Sequence, residues 1–172
     1  MPGLRSICIG RSGCGKTTLT QQMIEQRPKN MPCLVYDINQ EYGKYYSEPF
    51  EDFDVFLAKL SERDEDGHDI VRHHYIVIEE ATIFFNTQSN FYDMKNVLVR
   101  ARHTGNIIQL NFHSFSSIPK GIYNLLDYVI VFKTNDNLKS VTDRFDNPNV
   151  IEAYKEALAS EDEHFHKVVK IY

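Results

Sequence analysis

The chain contains no stretch of about 18 consecutive apolar residues, the length a membrane-crossing helix needs, so no transmembrane segment is expected. Cysteine is scarce, with Cys8, Cys14 and Cys33 the three present. An odd number argues against a disulfide framework, and their spacing does not suggest zinc. A reducing cytoplasm is the natural compartment for such thiols. Excess positive charge is also missing. The net charge of −5 excludes a polycationic surface, so any nucleic-acid contact has to be local or concentrated by an assembled ring. No internal repeat or low-complexity tract is present, and with an apolar strand expected from the first residues no signal peptide is expected. What remains is 172 residues, 42% hydrophobic and 25% charged, enough for one domain with a full core spanning residues 1–172.

One stretch organises the rest. Gly10-Arg11-Ser12-Gly13-Cys14-Gly15-Lys16-Thr17 fits the phosphate-binding pattern G-x-x-x-x-G-K-[ST] at every fixed position. The apolar run Leu4–Ile9 precedes it, and Thr18–Gln26, rich in helix formers and free of Gly and Pro, follows. Strand, glycine loop and helix is the arrangement that turns successive backbone N–H groups toward one phosphate and adds the positive end of a helix dipole. The expected nucleotide-binding set is Gly10, Arg11, Ser12, Gly13, Cys14, Gly15, Lys16, Thr17 and Thr18. Lys16 would reach the β- and γ-phosphates of ATP, and the Thr17 hydroxyl would hold Mg²⁺.

Along the chain, the first helix should end before Arg27-Pro28. Strands are expected at Cys33–Asp37, Asn106–Phe112 and Asp127–Phe132, with an edge strand at Phe165–Ile171. Phe53, Phe56, Leu57 and Leu60 predict an amphipathic helix over 52–63, and Phe91, Met94, Leu98 and Ala101 another over 90–103. Ile118-Pro119 should open a short helix, 134–146 should be partly helical, and Pro148–Ala159 should be a full helix. The run Tyr75-Ile76-Val77-Ile78 is a buried strand ending in the paired acids Glu79 and Glu80. At the C-terminal edge of a sheet, such a pair places one carboxylate near a metal and one near the γ-phosphate. Glu79 is the expected metal-side acid and Glu80 the base. His113, after the next strand, stands at the same edge and is a candidate sensor. Arg100 and Arg102 end their helix, where positive charge suits the dipole. About six short apolar strands with intervening helices give an α/β, three-layer sandwich of the P-loop NTPase (RecA/ASCE-like) class, with a mostly parallel central sheet and the nucleotide along its C-terminal edge.

Four pieces in this order, GRSGCGKT, YDINQEYG, YIVIEEA and RARHTGNIIQLNFHSFSSIP, resemble the HerA/FtsK superfamily of DNA-translocating ATPases. They lie between Gly10 and Pro119 and leave the last third uncovered. The resemblance implies phosphate and Mg²⁺ binding by Lys16 and Thr17, metal-side and base roles for Glu79 and Glu80, and a sensor role for His113, where the family usually has Gln. It further implies that Arg102 or its neighbour Arg100 serves the adjacent subunit's nucleotide as an arginine finger. Glu in place of the commoner Asp at 79 is the other departure. The short length is similar to the viral genome-packaging ATPases of membrane-containing icosahedral viruses. The Zot-like phage assembly ATPases share the loop but typically carry a transmembrane segment.

The expectation is therefore an ATPase motor acting on double-stranded DNA. It would work as a ring, most simply a hexamer, docked to a capsid or membrane protein, in the host cytoplasm or on the virion. A Zot-like phage assembly ATPase, a nucleotide-gated binding module and a small P-loop kinase are the alternatives. The stretch Lys133–Arg144, with one Arg, is a poor kinase lid. Lys120, Lys133, Lys139 and Arg144 are candidates to face DNA, although scattered surface charge explains each of them as well.

Overall fold

The computed structural model describes residues 2–45, 50, 52–85 and 88–171. Six strands form one sheet: β1 (Leu4–Ile9), β2 (Cys33–Tyr36), β3 (Tyr75–Ile78), β4 (Ile107–Phe112), β5 (Tyr128–Phe132) and β6 (His166–Lys170). Their order is β2-β3-β4-β1-β5-β6. The first five run parallel, and β6 closes the edge antiparallel to β5. The helices are α1 (Lys16–Gln26), α2 (Phe53–Ser61), α3 (Ala81–Phe84), α4 (Gln88–Thr104), α5 (Leu138–Thr142) and α6 (Pro148–Ala159).

Alternation along the strands sorts the two faces. Ile7, Ile9, Ile76, Ile78, Ile108, Leu110, Phe112, Val129 and Val131 turn one way, into a core shared with α2, α4 and α6. Cys8, Val35, Tyr75, Val77, Ile130 and Phe132 turn the other way, toward Leu19, Met23 and Ile24 of α1. These two buried faces make the three layers and explain the near-continuous apolar runs of the parallel strands. Three helices start on side-chain caps or turns their sequences supply. The Asp52 carboxylate accepts from Asp54 and Val55 N–H, Asn137 from Ser140 N–H, and Asn147 from Asn149 and Val150 N–H, with Pro148 in the first turn. None of the described helices is long and apolar enough to cross a membrane.

Most sequence-based elements fall within two residues of these bounds. Ile118-Pro119 does not open a helix. Ile118, Ile122 and Leu126 are buried, but the only helical turn there is the 3₁₀ segment Tyr123–Leu125. The backbone departs at Gly121, whose φ of 104° lies in the left-handed region and breaks any helix begun at Pro119. The third strand stops at Ile78, short of the two acids, because Glu80 adopts φ 54° and caps α3, a helix not anticipated.

Candidate nucleotide-binding and hydrolysis site

β1, β4 and β3 are neighbours in the sheet, so the loops that follow them open at one edge. There Ser12, Gly13, Gly15, Lys16, Thr17 and Thr18 line a cleft of about 400 Å³ together with Asn39, Glu41, Glu79, Glu80, His113 and His164. The loop after β1 is sewn to both flanking strands. Gly10 N–H donates to the Phe112 carbonyl at 3.1 Å, and Arg11 N–H to that of Lys133 at 2.9 Å. Gly13 and Gly15 take φ of 78° and 99°, and Gly15 caps α1. Lys16 is buried, its Nζ donating to the carbonyls of Gly10 (2.6 Å) and Arg11 (3.0 Å) across the loop. Cys14 turns away from the cleft into the small core of Cys8, Ile130 and Phe132, and burial pushes its thiol pKa up.

Gly10 admits no side chain. A Cβ there would sit 2.5 Å from Cys14 Sγ and 2.6 Å from Phe132 Cβ. Gly10→Ala is expected to cost about 1–3 kcal/mol of stability through overpacking, read as a lower Tm. Trimming the cysteine as well, in Gly10→Ala/Cys14→Ala, should recover only part of it, because the Phe132 contact persists.

The acids occupy two levels. Glu79 is buried, its Oε2 accepting from Tyr42 Oη (2.7 Å) and Asn111 Nδ2 (2.6 Å). Burial raises its pKa, against the opposing pull of those two donors and of Lys16. Behind it runs a buried polar ladder. Asn111 Nδ2 also donates to Thr20 Oγ1 (3.2 Å), and Gln109 Nε2 to Thr20 Oγ1 (2.7 Å) and Asn111 Oδ1 (3.2 Å). Tyr75 Oη completes the ladder, donating to Gln109 Oε1 at 2.9 Å. Glu80 stands at the cleft wall, where its carboxylate contacts His113 Nε2. Its left-handed backbone is uncommon outside glycine and marks a residue held in place by its surroundings.

The segment after β2 brings a third acid. Fully buried Asp37 accepts from Glu41 N–H (3.0 Å) and Tyr42 N–H (2.8 Å), closing a turn through Gln40 at φ 56°. That turn delivers Tyr42 to Glu79 and sets Glu41 Oε2 3.4 Å from Thr17 Oγ1. Three carboxylates thus face one lysine, so a triphosphate entering the cleft brings more negative charge than Lys16 balances. The hard oxygen donors of Thr17, Glu41 and Glu79 fit a divalent cation such as Mg²⁺.

Of the sequence-predicted loop residues, Ser12, Gly13, Gly15, Lys16, Thr17 and Thr18 therefore meet both acids and His113 in one cleft, whereas Gly10, Arg11 and Cys14 do not line it. Nor do Arg100 and Arg102. They end α4 just before β4, at the opposite edge of the sheet. Arg100 pairs with Asp69, and Arg102 Nη2 donates to Asp127 Oδ1 at 2.9 Å. Of the four candidate DNA-facing residues, Lys133 is tied to Glu163 and the Ser160 carbonyl, Lys139 to Asp143, and Arg144 to the Ser116 carbonyl. Sequence reasoning missed Tyr42 and Asn111 as partners of Glu79. The signal for Asn111 was available, because Gln109 and Asn111 alternate onto one face of an otherwise apolar strand. It also missed the segment between α6 and β6. There Glu163 bridges Arg11 of the loop and Lys133 of β5's end, and His164 lines the cleft, with no motif to announce either.

Sheet order, loop and acids define an α/β P-loop ATPase fold. No protein-family model matches the chain, and no curated protein matches it in sequence. Solved structures do match. The genome-packaging NTPase B204 of Sulfolobus turreted icosahedral virus 2, in complex with AMP, is 14% identical with a TM-score of 0.70, covering 99% of this chain and 94% of that one. The DNA-packaging ATPase B204 of Sulfolobus turreted icosahedral virus is 19% identical with a TM-score of 0.69, covering 98% of each. ATPases 2 and 3 of Thermomonospora curvata EccC share the fold over 80% of this chain and 31% of theirs, at 10% identity and a TM-score of 0.57.

Proposed function

We propose that the chain is an ATP-hydrolysing motor of the viral genome-packaging kind, moving double-stranded DNA as a ring, by resemblance a hexamer docked to a capsid or membrane protein in the host cytoplasm or on the virion. The observation that carries the reading is the meeting of Lys16 and Thr17 with Glu79, Glu80 and His113 in one cleft. Likeness over nearly the full length of both chains to packaging NTPases that bind nucleotides supports it. In this reading the loop N–H groups and Lys16 hold the phosphates, and Glu80 takes the proton of the attacking water. His113 orients Glu80 and reports the γ-phosphate. Thr17 and Glu79, with Glu41, would hold Mg²⁺, which when bound neutralises phosphate charge. Arg102 of a neighbouring copy completes the site.

The test is ATP hydrolysis with and without double-stranded DNA, beside Lys16→Ala. Turnover that DNA stimulates and Lys16→Ala lacks is expected. Turnover indifferent to DNA would remove the motor and leave an ATPase. The contact between His113 and Glu80 favours a second reading, a nucleotide-gated module whose base is held out of action. Binding of ATP without turnover above the Lys16→Ala blank would establish that one instead.

A further inference from the structure

Glu79, the metal-side acid of the proposed reaction, is one methylene longer than the commoner aspartate, and its extra torsion has to be restrained. Its Oε2 takes two donors at once, Tyr42 Oη at 2.7 Å and Asn111 Nδ2 at 2.6 Å, while Oε1 takes neither. Tyr42, Asn111 and Glu79 are 0%, 1% and 3% exposed, so both bonds lie out of reach of bulk water. The Asn111 amide is itself fixed. Tyr75 Oη donates to Gln109 Oε1 (2.9 Å), Gln109 Nε2 to Asn111 Oδ1 (3.2 Å) and Asn111 Nδ2 to Glu79, so each amide of the ladder turns its donor side toward the acid.

Tyr42 arrives from the other side. Asp37 accepts from its backbone N–H at 2.8 Å. The segment around it is pinned to α1: Gln21 Nε2 donates to the Glu41 carbonyl (2.9 Å), and Lys44 Nζ (2.9 Å) and Tyr45 Oη (2.7 Å) both donate to Glu25. The ring is therefore placed by the helix that begins at the phosphate loop, and the Thr17 and Thr20 hydroxyls interact with the same phenol oxygen. One phenol thus links Thr17 and Glu79, the two residues of the metal side.

We infer that Tyr42 is the positioning residue of this acid: with Asn111 it ties up Oε2, offers the cleft the single oxygen Oε1, and so selects Mg²⁺ over Ca²⁺; the inference rests on the triphosphate reading above. Mg²⁺ demands near-ideal octahedral geometry, whereas Ca²⁺ accepts a carboxylate through one oxygen or two in a looser shell. A glutamate free to turn about its extra torsion presents both oxygens and favours the larger ion. A glutamate held at Oε2 does what the shorter aspartate does by length alone. The two donors act on the acid and not on the phosphates, because neither Tyr42 nor Asn111 lines the cleft.

The test is calorimetric binding of AMPPCP, an ATP analogue that is not hydrolysed, to wild type and to Tyr42→Phe, each with Mg²⁺, with Ca²⁺ and with EDTA. Tyr42→Phe keeps the ring and removes one donor. It should bind AMPPCP about 10–100-fold more weakly with Mg²⁺, the usual cost of losing a metal ligand's hydrogen-bond partner, lose less with Ca²⁺ and nothing with EDTA. Asn111→Ala removes the other donor from the same oxygen and should lower the preference for Mg²⁺ over Ca²⁺ in the same sense, so the test stands if one variant fails to fold. Unchanged affinity with Mg²⁺, or a loss equally large with Ca²⁺ or with EDTA, overturns the positioning role and spares the phosphate site. Failure of AMPPCP to bind wild type under all three conditions overturns the triphosphate reading as well.

Discussion

Glu80→Gln is expected to bind ATP like wild type and to hydrolyse it about 10²–10⁴-fold more slowly, the usual cost of removing a general base. The amide keeps the shape and the reach to His113 but cannot take a proton. Glu80 suits the part for reasons of position. It stands two residues past the end of β3, lines the cleft that holds Lys16 and Thr17, and is fixed by an αL backbone on one side and His113 on the other. Glu79, one residue earlier, is a poor alternative base. Its carboxyl is buried and already accepts from Tyr42 and Asn111. Single-turnover hydrolysis beside equilibrium ATP binding makes the measurement. Hydrolysis at the wild-type rate would remove Glu80 from the chemistry, and lost ATP binding would make its role structural.

The two acids also show where the sequence could be read and where it could not. A strand ending in paired carboxylates beside a glycine loop has few physical outcomes, since both lie at the carboxyl edge where parallel strands gather their loops. The sheet was legible for the same reason: each parallel strand is a short apolar run, and even the exposed edge β6 kept a loose alternation. What stayed hidden depends on contacts distant in sequence. Tyr42 lies 37 residues from Glu79 and reaches it only because Asp37 folds the turn between them. His164 lies about 150 residues from the phosphate loop in sequence, yet rests on Gly15 once β6 pairs with β5. The expected helix at Ile118-Pro119 failed on a single backbone choice, the left-handed Gly121, which apolar spacing does not reveal.

Arg102→Ala is expected to cost about 10³–10⁵ in turnover, the range for an arginine finger, with ATP still bound. Geometry rules out service to its own nucleotide. Arg102 sits at the amino edge of the sheet, and the six residues of β1 separate that edge from the phosphate loop, roughly 16 Å at the usual strand rise. Arg102 is also the freer of the two candidates. Its partner Asp127 is already satisfied by Arg5, through N–H (2.9 Å), Nε (3.0 Å) and Nη2 (3.1 Å), and the Arg102 side chain is 57% exposed. Arg100, 23% exposed against Asp69, reads as a clasp between α4 and the loop after α2, so Arg100→Ala should lower Tm more than it lowers turnover. A mixing experiment separates a finger acting in trans from a fold defect. Glu80→Gln and Arg102→Ala subunits, each inactive alone, should regain part of the activity when mixed. An interface between an intact Arg102 from one variant and an intact Glu80 from the other carries every group the reaction needs. Mixtures that stay inactive would make the Arg102→Ala loss a fold defect rather than a missing finger in trans, and an Arg102→Ala variant that hydrolyses at the wild-type rate would show that no copy needs a neighbour's Arg102.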